Sequence, residues 1–144
     1  MPKEVVLDSS VFVSAFVKGD KFRSAALRVF EKVFLGQFRA FTSVIVPVEV
    51  CGVIARRAGV DEAASVKRQL DKWESMGFIV CVELNKRRGR EAADLALRLR
   101  LRGMDAMVVQ VARERKAALV TFDEEMAEKS RGAVEVSSFQ DFEK

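Results

Sequence analysis

The sequence predicts a layered α/β domain with a mainly parallel sheet. Short apolar runs such as Val5-Val6-Leu7 and Ala118-Leu119-Val120 have the length and composition of strands buried on both faces. Between them lie segments with apolar residues three and four positions apart, such as Phe22, Ala26, Phe30 and Val33, which is the spacing of an amphipathic helix. Strands that alternate with helices build parallel sheets with helical crossovers. The 144 residues contain no repeat, linker or low-complexity tract, so a single domain over 1–144 is expected.

In chain order, Val5 to Leu7 is a strand that ends at Asp8. Ser9 or Ser10 can cap a helix from about Val11, with Gly19 as its stop. A helix over 21–35 follows, then a strand from Arg39 to Thr42. Ser43 to Arg57 is rich in β-branched residues but holds Pro47, which is unwelcome in a central strand. Its length and neighbours favour a helix with Pro47 in the first turn. Asp61 to Met76 has Val66, Leu70 and Trp73 on one helical face, and Phe78 to Val82 reads as a strand. Asn85 can cap a helix to about Leu101, broken by Gly103, with a further helix from Met104 to Arg115. Ala118 to Phe122 is a strand ending at Asp123, followed by a short helix and a last strand around Val134 to Val136.

Composition removes several chemistries. With 0 histidines there is no Ser-His-Asp triad, no Cys-His dyad and no imidazole metal ligand. The 2 cysteines, Cys51 and Cys81, lie far apart in apolar runs, which excludes a zinc ribbon or a disulfide framework. No segment approaches the roughly 20 apolar residues of a membrane span, and the N-terminus lacks the layout of a secretory signal. A cytoplasmic protein with reduced thiols and no membrane partner is expected. The net charge of +4 fits a nucleic-acid partner without requiring one.

Four carboxylates stand out against this background. Asp8 and Asp123 each end an apolar strand, and in a parallel sheet both would stand at the carboxyl edge, where open α/β folds bind ligands. Capping of the next helix is the structural alternative for each. On a helix, Glu49 shares its face with Ile45, Gly52 and Val53, and no other charge lies between Ser43 and Ala55. It is therefore expected as a buried carboxylate, with an ion pair to Arg56 or Arg57 as its structural alternative. Asp105 neighbours Val108, Val109 and Ala112 on a helix, where a first-turn position would also favour it. Four ionised groups in one pocket repel unless a cation sits among them. Without histidine, Mg²⁺ or Mn²⁺ is the cation such oxygens would hold.

In these motifs the chain resembles the PIN-domain ribonucleases, of the kind found as the toxin in VapBC toxin–antitoxin pairs. Val6-Leu7-Asp8-Ser9-Ser10-Val11 resembles the family's opening L-D-x-S motif. Thr42-Ser43 with Val48-Glu49-Val50 resembles its T-S and E-V block. Arg102-Gly103-Met104-Asp105-Ala106 and Thr121-Phe122-Asp123 resemble its D-A and T-x-D motifs. The resemblance implies a three-layer α/β/α fold with about five parallel strands and a Mg²⁺- or Mn²⁺-dependent endoribonuclease. It implies Asp8, Glu49, Asp105 and Asp123 as the acidic quartet, with Ser10 and Glu125 in support. It further implies a homodimer and an antitoxin partner whose C-terminal segment enters the acidic site.

RNA approaching such a site needs a basic rim. Arg87, Arg98 and Arg102 are the candidate phosphate contacts, with local salt bridges to Glu91 or Asp94 as the alternative role. The eleven Phe residues fall mostly on amphipathic faces and are expected in the core. A phosphatase using Asp8 as nucleophile is disfavoured, because Ser10 stands where a second aspartate is needed. Two readings stay open beside the toxin: a ribosomal-RNA processing nuclease of the same fold without an antitoxin, and a catalytically degenerate PIN-like binding module.

Overall fold

The computed structural model describes residues 1–143. Five strands, β1 (Lys3–Leu7), β2 (Phe38–Ser43), β3 (Ile79–Val82), β4 (Ala118–Val120) and β5 (Val136–Ser137), form one sheet in the order β3-β2-β1-β4-β5. Every neighbouring pair is parallel. Helices make the crossovers: α1 (Ser9–Phe16), α2 (Arg23–Phe34), α3 (Ile45–Ala58), α4 (Val60–Ser75), α5 (Lys86–Leu99), α6 (Gly103–Arg115) and α7 (Glu124–Ser130). The result is a three-layer α/β/α fold. A 3-10 turn (Phe139–Phe142) follows β5.

The central strand is the most apolar. Val5, Val6 and Leu7 of β1 are fully buried, as a strand covered on both faces must be. Helix α6 lies against β1, β2 and β4 and is buried over most of its circumference through Ala106, Val108, Val109, Val111 and Ala112. Pro47 is the third residue of α3, where the missing N–H costs nothing. An aromatic cluster fills the space beside α1, α2 and α4: the Phe12 and Phe30 rings lie 5.3 Å apart, and Phe30 and Trp73 lie 5.1 Å apart. Ten of the eleven phenylalanines lie in or against the core, as their spacing predicts, and Phe34 is exposed.

Several boundaries differ from the sequence expectation. The cap of α1 is Asp8 itself, whose Oδ1 accepts from the Ser9 amide at 2.7 Å; neither Ser9 nor Ser10 caps. Gly103 does not break the chain between α5 and α6 but opens α6 as its first residue. The break is made by Arg100, which adopts a left-handed φ of 58°. The last strand is Val136–Ser137, two residues later than expected, and β4 stops at Val120. Backbone pairing nevertheless continues past β4, since the Thr121 amide donates to the Ser137 carbonyl at 3.1 Å.

Candidate active site

Parallel strands all end at the same edge, and β1 and β4 are neighbours in the centre. Asp8 follows β1 and Asp123 follows β4 by three residues, so both carboxylates are delivered to that edge. Each also caps the helix that follows: Asp123 Oδ1 accepts from the Met126 amide at 3.0 Å. Capping spends one oxygen of each carboxylate and orients the other.

Asp8 is 3% exposed and densely hydrogen-bonded. Its Oδ2 accepts from Thr121 Oγ1 at 2.7 Å and from Ser10 Oγ at 2.8 Å. Ser10 Oγ in turn accepts from the Phe122 amide at 2.9 Å, and Thr121 Oγ1 accepts from the Asp123 amide at 3.2 Å. Two hydroxyls thus stitch the end of β1 to the end of β4 through one carboxylate oxygen. Ser10 was marked by sequence. Thr121, buried and bonded to both acids, stands inside the T-x-D motif but carries no mark of its own in the sequence. Thr42, also fully buried, donates to the Leu7 carbonyl at 2.7 Å and braces the same strand end from β2.

Asp105 stands in the first turn of α6. Burial pushes its carboxyl up to about 6, and the negative charges of Asp8, Asp123 and Glu49 push in the same direction; Arg102 opposes them. The other three acids of the expected quartet therefore all act on Asp105. Glu49 departs from the expectation in one respect. It is half-exposed rather than buried, because α3 turns Val46, Val50 and Ile54 inward and leaves Glu49 on the flank. Neither Arg56 nor Arg57 pairs with it, and among the described residues Glu49 carries no salt bridge.

The positive charge in the site is Arg102. Its Nε lies 3.4 Å from Asp105 Oδ2 and its Nη2 3.3 Å from Asp123 Oδ2, while its side chain is 76% exposed. Glu125 lies within electrostatic reach of Arg102 but is tied to Lys129 on its own helix at 2.7 Å. Arg87 is held by Glu91 at 2.9 Å and Glu114 at 3.0 Å. Arg98 lies beside Glu91, Asp94 and Arg113 along the α5–α6 seam.

The donor set suits a hard divalent cation: carboxylate oxygens in excess, with Asp105 destabilised as an anion by burial and then by its acidic neighbours. The spacing is wider than a loaded site requires. Among the described residues no three carboxylates or thiolates are drawn tightly enough together to share an ion. The acids have other partners: Asp8 accepts from hydroxyl donors, and Arg102 bridges Asp105 and Asp123.

An open parallel sheet with an acidic, hydroxyl-braced cluster at its carboxyl edge defines a class of α/β domain whose ligand chemistry is anionic oxygen. The chain belongs to the PIN-domain family, whose model matches residues 5–132. Solved structures of similar fold include VapC20 from Mycobacterium tuberculosis, a sarcin-ricin loop cleaving toxin, at a TM-score of 0.71 and 17% identity, covering 92% of this chain and 98% of that one. The DNA-bound VapBC complex of Salmonella typhimurium contains a chain matching at a TM-score of 0.69 and 13% identity, over 96% of this chain and 99% of its own. PAE2754 from Pyrobaculum aerophilum matches at 0.64 and 21%, over 96% and 85% respectively. No curated protein sequence matches the chain.

Proposed function

We propose that the protein is a Mg²⁺- or Mn²⁺-dependent endoribonuclease and the toxin of a toxin–antitoxin pair. The observation that carries the nuclease reading is the gathering of acids around the half-buried Asp105, which shares the Arg102 guanidinium with Asp123 and feels the charges of Asp8, Asp123 and Glu49. Such a cluster in a chain without histidine has use for a cation and little use without one. The similarity to VapC20 and to a chain of the Salmonella VapBC complex supports the toxin reading and an antitoxin partner.

In this reading Asp8, Asp105 and Asp123 would hold the cation, with Glu49 beside them. When bound, the cation supplies an activated water and neutralises charge on the phosphate. The chain's own residues do the rest. Ser10 and Thr121 fix one Asp8 oxygen by donating to it, which directs the carboxylate's remaining capacity outward. Glu49, free of ion pairs among the described residues, is available to take the proton of the attacking water. Cleavage leaves a 3′-hydroxyl and a 5′-phosphate. The route through the 2′-hydroxyl lacks an imidazole to run it. Arg98 and Arg102 supply phosphate contacts at the rim; Arg87 serves once its acidic partners release it.

The reading places the protein in the cytoplasm as a homodimer. Among the described residues no helix is long and apolar enough to cross a membrane. Incubating the purified protein with total RNA, in Mg²⁺ and separately in EDTA, tests the activity. Cleavage in Mg²⁺ that EDTA abolishes is expected. Cleavage that persists in EDTA, or none with total RNA and intact ribosomes in either ion, overturns it.

A further inference from the structure

We propose that Arg102 is a built-in counter-ion: it occupies the cation position of the acidic site, and the divalent ion must displace it. This rests on the metal-dependent reading above. The guanidinium bridges Asp105 and Asp123 at 3.4 and 3.3 Å. Among the described residues these two carboxylates are its only hydrogen-bond partners. With the side chain 76% exposed, nothing else holds it. Beside the guanidinium, a gap lined by Leu101, Arg102, Asp105, Glu125, Met126 and Lys129 has a volume of only about 10 Å³, close to the space one water needs. The guanidinium itself takes the position between the Asp105 and Asp123 oxygens that an ion shared by them would need.

The location of Arg102 in the fold makes the same point independently. It is the N-cap residue of α6, at the positive end of that helix. Cations are favoured at the opposite end. No helix preference puts an arginine there, and no side-chain capping bond is made. Only the acids reward the position. The guanidinium contributes one positive charge spread over a plane, whereas a divalent ion contributes two at a point and can accept several oxygens at once. The two cannot share Asp105 and Asp123 without repulsion, so binding of one releases the other.

Release has a consequence for substrate. The freed guanidinium stands at the mouth of the site with its donors unpaired, in the geometry that grips a phosphate bidentately. Metal and RNA are thereby coupled through one side chain: the metal exposes a phosphate ligand, and an RNA phosphate that takes Arg102 vacates the metal's place. Such coupling is reciprocal.

Titration of Mn²⁺ followed by electron paramagnetic resonance, without RNA, tests the displacement. The Arg102→Met variant keeps the length of the side chain and removes the charge. It should bind Mn²⁺ at least about fivefold more tightly than the wild type, beyond the effect of a single exposed ion pair. In saturating Mn²⁺ the same variant should show a raised KM for RNA. Arg113→Met, at the far end of α6, is the control for general charge and should leave Mn²⁺ affinity unchanged. Equal affinity in wild type and Arg102→Met, or equal tightening in both variants, overturns the inference and leaves the nuclease reading intact. A wild-type protein that neither binds Mn²⁺ nor cuts RNA overturns both.

Discussion

The Thr121 hydroxyl donates to Asp8 Oδ2 at 2.7 Å and so joins the ends of two adjacent strands across 113 positions of sequence. The bond is buried and charge-assisted, the kind that contributes most. Thr121→Val keeps the shape and removes the donor. It should lower stability by about 2 kcal/mol and reduce RNA cleavage. Thr121→Ser should retain most of both. Chemical denaturation and single-turnover cleavage check the pair.

Asp105→Asn should stabilise the metal-free protein. The Asp105 carboxyl is raised from 3.8 to about 6, so the folded chain binds this proton more tightly than the unfolded one. Stability from this group is present at low pH and is lost as pH rises from about 4 to about 6. At pH 7 in EDTA the variant should exceed the wild type by about 2 kcal/mol, with the gap closing by pH 4. Urea denaturation at the two pH values reads it. Cleavage should be lost in the same variant.

Asp8→Asn should also lose cleavage but move stability the other way. Its carboxylate receives hydrogen bonds from the Ser9 amide and from two hydroxyls. An amide nitrogen in place of Oδ2 would face the Ser10 and Thr121 donors. A loss of about 1 kcal/mol is expected, and thermal unfolding in EDTA measures it.

Glu114 shows the opposite titration. Hydrogen bonds from Arg88, then Gln110 and Arg87, pull its carboxyl down to about 2. The lowered value means stability that is full above the ordinary glutamate range and lost as pH falls toward 2. Glu114→Gln should cost about 1 kcal/mol at pH 7, allowing for partial exposure, and nothing near pH 2. Acid titration followed by circular dichroism distinguishes the two curves.

Arg100→Gly should stabilise the α5–α6 junction. Arg100 holds a φ of 58° that glycine adopts freely. A gain of about 0.5 kcal/mol is expected in thermal unfolding.

What the sequence made legible is what periodicity and strand ends encode. The apolar run before Asp8 has a single plausible structure, and Pro47 near the start of an apolar segment identifies α3. Ser10 and the acids were visible because polar groups beside apolar runs need a reason. Thr121 was harder to see, since a threonine is at home in a strand and its hydroxyl draws attention only once Asp8 lies opposite. The apolar i−4 and i+4 neighbours of Glu49 predict burial, but the face it shares with Ile45 and Val53 is only partly covered, while Val46, Val50 and Ile54 take the fully buried one. Arg100 defeated the glycine rule: a left-handed cap costs an arginine little enough that tertiary packing decides the break. Nor does charge counting say that Arg102 lies between two acids, because that contact spans 21 positions and depends on the order of strands.

The strand order also times the assembly of the site. Because the first strand pairs with the fourth, Asp8 leaves the ribosome long before Thr121 exists to meet it. At ordinary elongation rates that interval is roughly ten seconds. A nascent chain carries its first acid without the partner that orients it. The acidic cluster is thereby incomplete until translation is nearly over.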